Sequence, residues 1–414
     1  DDSIYDAASN ETATISINGV SGKTGVAENS TPQAVTITIT DNESASTVTL
    51  TTSATSIAEN AGSSLTLTAT IGTATYQDVT VSLDGTGGTG TEGTDFGTVS
   101  DITISAGATT GTTSFTPTDD SIYDATSNET AGISVSAVSG GGASENGNQA
   151  VTITITDNES APTLTLSTSA SSIAENAGSS LTLTATLSNG TYQDVTAALG
   201  TSGTATEGTD YTDGSGNIDD ITISAGATTG TVSFTPTNDS IVEANETAII
   251  AVTGVSGGSA TESGSQSQTI TITNDDSSSF SVADVTVDED AGTATVTVSA
   301  SNAFSSDVTI DYATSNGTAT AGSDYTAKNG TLTFSAGDTS KTFAVSITDD
   351  STDESDETIT ITISNASAGT ISDATGTVTI TDNDTPSLSI NDVSTSDESN
   401  AATNMTVTLS DAST

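Results

Sequence analysis

Four copies of an acidic segment are the part of this sequence with the clearest potential for chemistry. The string DDSIYD opens the chain, and related strings begin at 119, 238 and 349. Clustered carboxylates offer the oxygen ligands that hard cations prefer, and the chain has no histidine or cysteine that would favour Zn²⁺. Flexible loops with many carboxylates suit Ca²⁺ better than the smaller Mg²⁺. Calcium is therefore the first expectation, although Asp-Asn and Asp-Gly strings are also ordinary turn formers.

The overall charge restricts the partners of the chain. The 414 residues include 54 acids and only 3 bases, for a formal net charge of −51. Nucleic acid and anionic lipid surfaces attract basic patches, so we expect no nucleic acid as a partner. No apolar run approaches transmembrane length, so we expect no membrane insertion of this segment. The three bases, Lys23, Lys328 and Lys341, occupy no repeated position, and without His, Cys or Arg we expect no enzyme.

The acidic segments belong to a larger repeat. The string SIAENAG at 56–62 recurs at 172–178, and TITITDNE recurs with small changes at the end of each copy. The spacing of the copies is the size of a whole domain rather than of one solenoid turn. The sequence therefore predicts five units: an opening segment (1–43, the C-terminal half of a repeat), a first full repeat (44–159), a second full repeat (160–276), a third full repeat (277–384) and a closing segment (385–414, the N-terminal half of a further repeat).

Each full repeat has the pattern of a β-sandwich. Segments such as LTLTATL alternate apolar residues with threonine, which is typical of strands buried on one face. Gly, Ser and Asn clusters separate them, and we find no sustained helical periodicity. We therefore predict an all-β fold, a tandem array of antiparallel seven-stranded Ig-like sandwiches. In the first full repeat the predicted strands lie near 47–53, 64–71, 78–84, 99–104, 112–116, 130–137 and 150–156.

The order of these strands predicts where the acids meet. If every connection reverses the chain, alternate loops lie at the same end of the sandwich. Glu59, Asp95, Asp119 and Asp157 then fall at one end, whereas the loops of the other end hold a single acid, Glu145. Two carboxylates ~4 Å apart repel by about 4 kcal/mol at a surface-like dielectric. We therefore expect a cation to lie between the acids and to offset this repulsion.

At these residues the sequence resembles the Calx-β domain family. The matching features are IAENAG, the G-[ST]-D-[FY] stretch, the DDxxxE stretch and the closing TITDN[DE], in this order in every full repeat, with Asn substitutions in the second. The resemblance implies a sandwich that binds Ca²⁺ at the tip where the chain exits. Tandem copies, as in large bacterial surface adhesins, imply an elongated rod with calcium ions at the junctions between neighbouring repeats.

The resemblance also implies a set of ligands, with one or two ions at each junction. Asn238 and Asn274 stand where other copies have Asp, and two extra residues before Glu129 leave that residue outside the set. Tyr76 and Tyr192 are expected to be packing or edge residues. The implied ligands are Asp1, Asp2, Asp6 and Asp41; then Glu59, Asp95, Asp119, Asp120, Asp124 and Asp157, with the backbone carbonyl of Ile122; then Glu175, Asp210, Asp239, Glu243, Glu246, Asp275 and Asp276; and finally Glu289, Asp324, Asp349, Asp350, Glu354, Glu357, Asp382 and Asp384.

Three functions are compatible with this pattern. The first is a Ca²⁺-stiffened stalk of a bacterial cell-surface or secreted adhesin. The second is a subunit of a self-assembling extracellular filament or matrix, in which other copies of the chain are partners. The third is a Ca²⁺ sensor or regulatory module, which the number of copies disfavours because a sensor needs only one or two.

Overall fold

The computed structural model describes residues 3–6, 11–28, 33–124, 128–394 and 404–410. Within these ranges the chain is all-β, with one 3₁₀ turn at Glu289–Ala291, as the alternating pattern predicts. No helix in the described part of the chain has the length and hydropathy needed to cross a membrane. The structure contains three sandwiches, each with its own buried apolar core.

The opening segment contains one short strand and one hairpin, and the first full repeat follows them. Nearly every predicted strand of this repeat forms within a few residues of its expected position. The strands up to its end are β1 (Ile4–Tyr5), β2 (Glu11–Ser16), β3 (Ala34–Ile39), β4 (Thr47–Thr52), β5 (Ser56–Ala58), β6 (Leu65–Ile71), β7 (Ala74–Thr75), β8 (Val79–Gly88), β9 (Ile102–Ile104), β10 (Thr110–Phe115), β11 (Ile122–Tyr123), β12 (Glu129–Ser139), β13 (Ser144–Glu145) and β14 (Ala150–Thr156).

Two sheets form the sandwich of the first full repeat. One sheet has the order β10-β6-β4-β13 and the other has the order β5-β14-β12-β8-β9. The neighbours are antiparallel except at the edges, where β5 pairs in parallel with β14 and β13 in parallel with β4. These pairings agree with the predicted alternation of chain direction. The short strand β5 was not predicted, and it moves the chain from one sheet to the other.

The second and third full repeats have the same architecture as the first. Their strands, followed by the hairpin of the closing segment, are β15 (Thr163–Thr168), β16 (Ser172–Ala174), β17 (Leu181–Leu187), β18 (Gly190–Thr191), β19 (Val195–Gly203), β20 (Tyr211–Thr212), β21 (Ile221–Ile223), β22 (Thr229–Pro236), β23 (Glu246–Ser256), β24 (Thr261–Glu262), β25 (Ser267–Thr273), β26 (Ser279–Val282), β27 (Val285–Asp288), β28 (Thr293–Ala300), β29 (Val308–Asn316), β30 (Asn329–Phe334), β31 (Ser340–Ser346), β32 (Glu357–Ser364), β33 (Thr370–Asp373), β34 (Thr375–Thr381), β35 (Leu388–Ile390) and β36 (Val407–Leu409). The sheet orders are β20-β22-β17-β15-β24 and β16-β25-β23-β19-β21 in the second full repeat, and β31-β28-β26-β33 and β27-β34-β32-β29-β30 in the third.

Alternating apolar residues build the cores. In β6, Leu67, Ala69 and Ile71 are buried while the threonines between them lie closer to the surface. Phe115 and Ile153 are also fully buried. Removing such apolar side chains from water contributes about 25 cal/mol per Å² of buried surface, which makes these faces the main source of stability.

Each full repeat contacts the preceding unit through one recurring joint. At the first joint, β1 of the opening segment pairs in parallel with β7. At the second joint, β11 of the first full repeat pairs in parallel with β18 of the second. At the third joint, Val242 forms a parallel bridge with Phe304. The residues that the preceding unit contributes to each joint come from its acidic segment, so each joint lies directly beside the acids of that unit.

Candidate metal centre

A tight turn positions one acid of each full repeat. In TEGTDF the backbone N–H of Thr91 donates to Asp95 Oδ2 at 2.6 Å, and Gly93 adopts a φ of 88° that favours glycine. The next residue, Phe96, is fully buried and packs against Phe115 with ring centroids 5.1 Å apart. The buried ring anchors the turn in the core, and the carboxylate beside it is held at the surface.

Hydrogen bonds tie four further acids of the first full repeat together. Glu59 Oε1 accepts from the backbone N–H of Asp120 at 2.8 Å, and Asp157 Oδ2 accepts from that of Asp124 at 3.0 Å. Asp120 Oδ1 accepts from the N–H of Ile122 at 2.7 Å. The loop after β5, the loop after β10 and the chain exit after β14 are therefore joined through their acids.

These loops form a depression that we call the first acid cup. Its lining is contributed mainly by carboxylates, and it includes Glu129 and one residue of the following repeat. The residues that line it are Glu59, Asp95, Thr118, Asp120, Ile122, Asp124, Glu129, Ile155, Asp157 and Tyr192.

The second acid cup lies at the same place in the second full repeat. Glu175 Oε1 accepts from the N–H of Asp239 at 2.8 Å, and Asp239 Oδ1 accepts from that of Ile241 at 2.6 Å. Two groups of acids offer ligand atoms within 4.8 Å of one another: Glu175, Asp239 and Asp276 in one, and Asp210, Glu243 and Glu246 in the other.

The third acid cup repeats this pattern. Thr320 N–H donates to Asp324 Oδ2 at 2.7 Å, and Thr352 N–H donates to Asp350 Oδ1 at 2.7 Å. Ligand atoms lie within 4.8 Å of one another in two groups, Glu289 with Asp382 and Asp384, and Asp324 with Glu354 and Glu357. In the first cup the corresponding group is Glu59, Asp157 and Glu159.

Several buried oxygen atoms of these cups have no hydrogen-bond donor. In the part of the chain that the structure describes, they include Glu159 Oε2, Asn274 Oδ1, Asp276 Oδ2 and Asp382 Oδ1. All four residues follow the last strand of their repeat, at the chain exit. A buried polar atom without a partner is costly, and a carboxylate oxygen can be satisfied by a cation as well as by a donor. The donor set, made only of oxygen atoms, fits a hard cation.

Burial and neighbouring acids raise the pKa of a glutamate in each cup. Burial, followed by the charges of Asp95 and Asp124, raises the pKa of Glu129 to about 7. Burial and Asp210 raise the pKa of Glu246 to about 7, and burial and Asp324 do the same for Glu357. Burial and a hydrogen bond with Asp157 raise the pKa of Glu159 to about 7. A bound cation would favour the ionised forms and reverse these shifts.

The structure brings most of the implied ligands together, but not all. Asp119 lines a neighbouring depression beside Asn60 and Pro117 rather than the first cup. Asp275 is exposed and accepts a hydrogen bond from Asn176, and Asp349 is exposed. In the opening segment, the N–H of Asp6 donates to Asp41 Oδ2 at 3.1 Å, which matches the bond between Asp124 and Asp157. Asp1 and Asp2 lie outside the described residues.

Three residues of the first cup were absent from the implied set. Glu129 lines the cup although two extra residues precede it, because it is the first residue of β12 and the strand fixes its place. Glu159 was not among the implied ligands, although it ends the string TITITDNE, which recurs in the chain. Tyr192, expected to be a packing or edge residue, also donates its hydroxyl to Asp120 Oδ2 at 3.3 Å.

The fold and these sites define a class of protein: a tandem array of β-sandwiches, each with a carboxylate cup at the end where its chain exits. A family model, the Calx-beta domain, matches residues 41–159, 157–277 and 272–384. The chain belongs to the Calx-beta domain family. No curated protein matches it in sequence.

Solved structures with similar folds include isolated and tandem domains. The apo form of the Calx CBD1 domain is 30% identical to this chain, and the match covers 26% of this chain and 100% of the CBD1 chain, with a TM-score of 0.25. CBD12 from CALX1.2 is 17% identical over 53% of this chain and 99% of its own, with a TM-score of 0.25. Invasin, a bacterial integrin-binding protein, is 16% identical over 83% of this chain and 62% of its own, with a TM-score of 0.30.

Proposed function

We propose that this chain is a calcium-binding repeat region of a long extracellular protein, and that it serves as a Ca²⁺-stiffened stalk of a cell-surface or secreted adhesin of bacterial origin. The observation that carries the proposal is the set of buried oxygen atoms at the chain exit of each full repeat that accept no hydrogen bond. They lie in cups whose acidic segments also supply the joints. The role is structural rather than catalytic, because the same acids recur in every repeat.

Calcium acts on the joints through electrostatics. Without a cation, the clustered carboxylates repel one another, and the loops that hold them are the loops that pair with the next repeat. Ca²⁺ takes six to eight oxygen ligands and neutralises this repulsion. Bound ions would therefore order the joints and keep successive sandwiches in a fixed relation, which is what a projecting stalk requires. A stalk also explains the tandem copies better than a sensor does.

The test compares two glutamates of the second full repeat that each accept one backbone N–H. Glu175 accepts from Asp239 in the second cup, whereas Glu262 accepts from Gln266 at the opposite end. Glutamine keeps an accepting oxygen but removes the charge. We expect Glu175→Gln to lower the number of calcium ions bound in calorimetry and to reduce the calcium-dependent rise of the melting temperature, with Glu262→Gln behaving as wild type.

Two further measurements address the stalk itself. Small-angle scattering of the full chain should show a longer and more uniform particle in calcium than in EGTA, and Mg²⁺ at the same concentration should produce less of this effect. Identical scattering profiles and melting temperatures in calcium and EGTA would refute the proposal. A compact particle in calcium would leave the ion sites intact but exclude the stalk.

A further inference from the structure

The second and third joints have the same backbone geometry but different side chains. At the second joint, Tyr123 pairs with Thr191, and Tyr192 follows. At the third joint, Val242 bridges Phe304, and Ser305 occupies the position of Tyr192. The chain therefore contains a natural comparison, one joint with a tyrosine beside the cup and one with a serine.

Tyr192 reaches from the second full repeat into the cup of the first. Its hydroxyl donates to Asp120 Oδ2 at 3.3 Å, and its ring lines the first cup together with Glu59, Asp95 and Glu129. The hydroxyl therefore acts as a donor among carboxylates that otherwise repel one another.

Asp120 links the cup directly to the joint. Its Oδ1 accepts from the N–H of Ile122, the first residue of β11, and its Oδ2 accepts from Tyr192. The strand β11 is the one that pairs with β18 of the next repeat. One carboxylate thus holds both the strand and the tyrosine of the second joint while it faces the first cup.

The third joint has no such link among the described residues. Ser305 contacts the carbonyl oxygen of Val242, through its N–H at 3.1 Å and its hydroxyl at 3.4 Å. Phe304 is buried and stacks on Phe280, and Val242 packs against the core of the third full repeat. The lining of the second cup contains only residues of the second full repeat. This joint is held by apolar packing and backbone bonds.

We propose that Tyr192 of the second full repeat is a built-in member of the first acid cup, so that cation binding there and closure of the second joint stabilise each other. The second cup has no side chain of the following repeat in its lining, so this mutual link is absent at the third joint. This inference rests on the proposed calcium binding. Because linkage is reciprocal, the hydroxyl that orients Asp120 for the cation is also the group that the bound cation holds in place.

The experiment uses the full chain, which has no cysteine, with spin labels on introduced cysteines. Thr51 and Ser167 are exposed and lie at matching strand positions in the first and second full repeats, and Ala283 occupies this position in the third. The Thr51–Ser167 pair reports on the second joint and the Ser167–Ala283 pair on the third. Tyr192→Phe removes only the hydroxyl, and Ser305→Ala is the matched control.

We expect Tyr192→Phe to broaden the Thr51–Ser167 distance distribution in calcium and to weaken calcium binding at one class of sites roughly fivefold, as for loss of one ordinary hydrogen bond. The Ser167–Ala283 distribution should not change. Ser305→Ala should leave both distributions and the calcium isotherm as in wild type. Melting temperatures in EDTA establish that the variants are folded.

Three outcomes would overturn the inference. If Tyr192→Phe leaves the calcium isotherm unchanged, Tyr192 is not a member of the cup. If Tyr192→Phe broadens the second joint equally in calcium and in EDTA, the tyrosine is a structural contact only. If Ser305→Ala weakens calcium binding as Tyr192→Phe does, the two joints do not differ. A chain that binds no calcium in any variant would instead refute the proposed function.

Discussion

Calcium binding should release protons near neutral pH, by an amount set by four glutamates. The pKa of Glu129, Glu159, Glu246 and Glu357 is raised to about 7 in the cation-free chain. Each is therefore about nine-tenths protonated at pH 6 and about one-tenth protonated at pH 8. Cation binding requires the ionised forms. Saturation with calcium should then release between three and four protons per chain at pH 6, and roughly 0.4 proton at pH 8.

Calorimetry in two buffers with different ionisation enthalpies measures this number directly. Glu246→Gln removes one titrating group and should reduce the release at pH 6 by about one proton. Glu262→Gln, at the opposite end of the same sandwich, should change nothing. Saturating calcium binding at pH 6 with release of less than one proton would refute the reasoning, because the acids would then be ionised before the cation arrives.

The same shifts fix the pH dependence of stability without calcium. The folded-state pKa of these glutamates lies above the ordinary value of 4.5. Their stabilising contribution is therefore complete below about pH 4.5 and is lost as the pH rises through about 7. The melting temperature in EDTA should fall across this window, and calcium should restore most of the loss at pH 8. A melting temperature that rises over this window in EDTA would contradict the assigned shifts.

Three further predictions concern the framework. Phe234→Ala should destabilise the second full repeat by about 3–5 kcal/mol, seen in chemical denaturation as an earlier transition for that unit; an unchanged profile would mean that the ring is not a core anchor. Gly203→Ala should lower the melting temperature, because φ at Gly203 is +121° and the new methyl group would meet a carbonyl oxygen of β23 at 2.1 Å. Gly216 has open space around it, so Gly216→Ala should leave the melting temperature unchanged. Equal effects of the two substitutions would contradict this geometry. Val242→Ser should broaden the label distance distribution across the third joint in calcium as well as in EDTA, because Val242 packs against the core of the third full repeat. An unchanged distribution in calcium would mean that this packing does not hold the joint.

The repeating pattern made the fold and the acidic end predictable from sequence. Alternation of apolar residues with threonine is a local property, and it determined the strands of the first full repeat to within a few residues. The direction of successive strands then placed Glu59, Asp95 and Asp157 at one end. The aromatic residue after each G-[ST]-D stretch could also have been read as the anchor of the turn, because Phe96 and Tyr211 are buried directly beside their acids.

Other features depend on how each loop folds back against its sandwich, and the spacing of residues along the sequence does not encode this. Insertion of two residues before Glu129 suggested a displaced side chain, but the start of β12 holds Glu129 in the first cup. Asp119 and Asp120 are adjacent, yet only Asp120 lines the first cup.

The sequence by itself determined a tandem array of acidic β-sandwiches and a preference for hard cations, because composition, strand period and repeat length are properties of the chain alone. Only the tertiary structure decided that Tyr192 of one repeat meets Asp120 of the repeat before it, 72 residues away. The physical reason is that a joint between two sandwiches is made by the packing of whole domains, and no local pattern records which side chains that packing brings together.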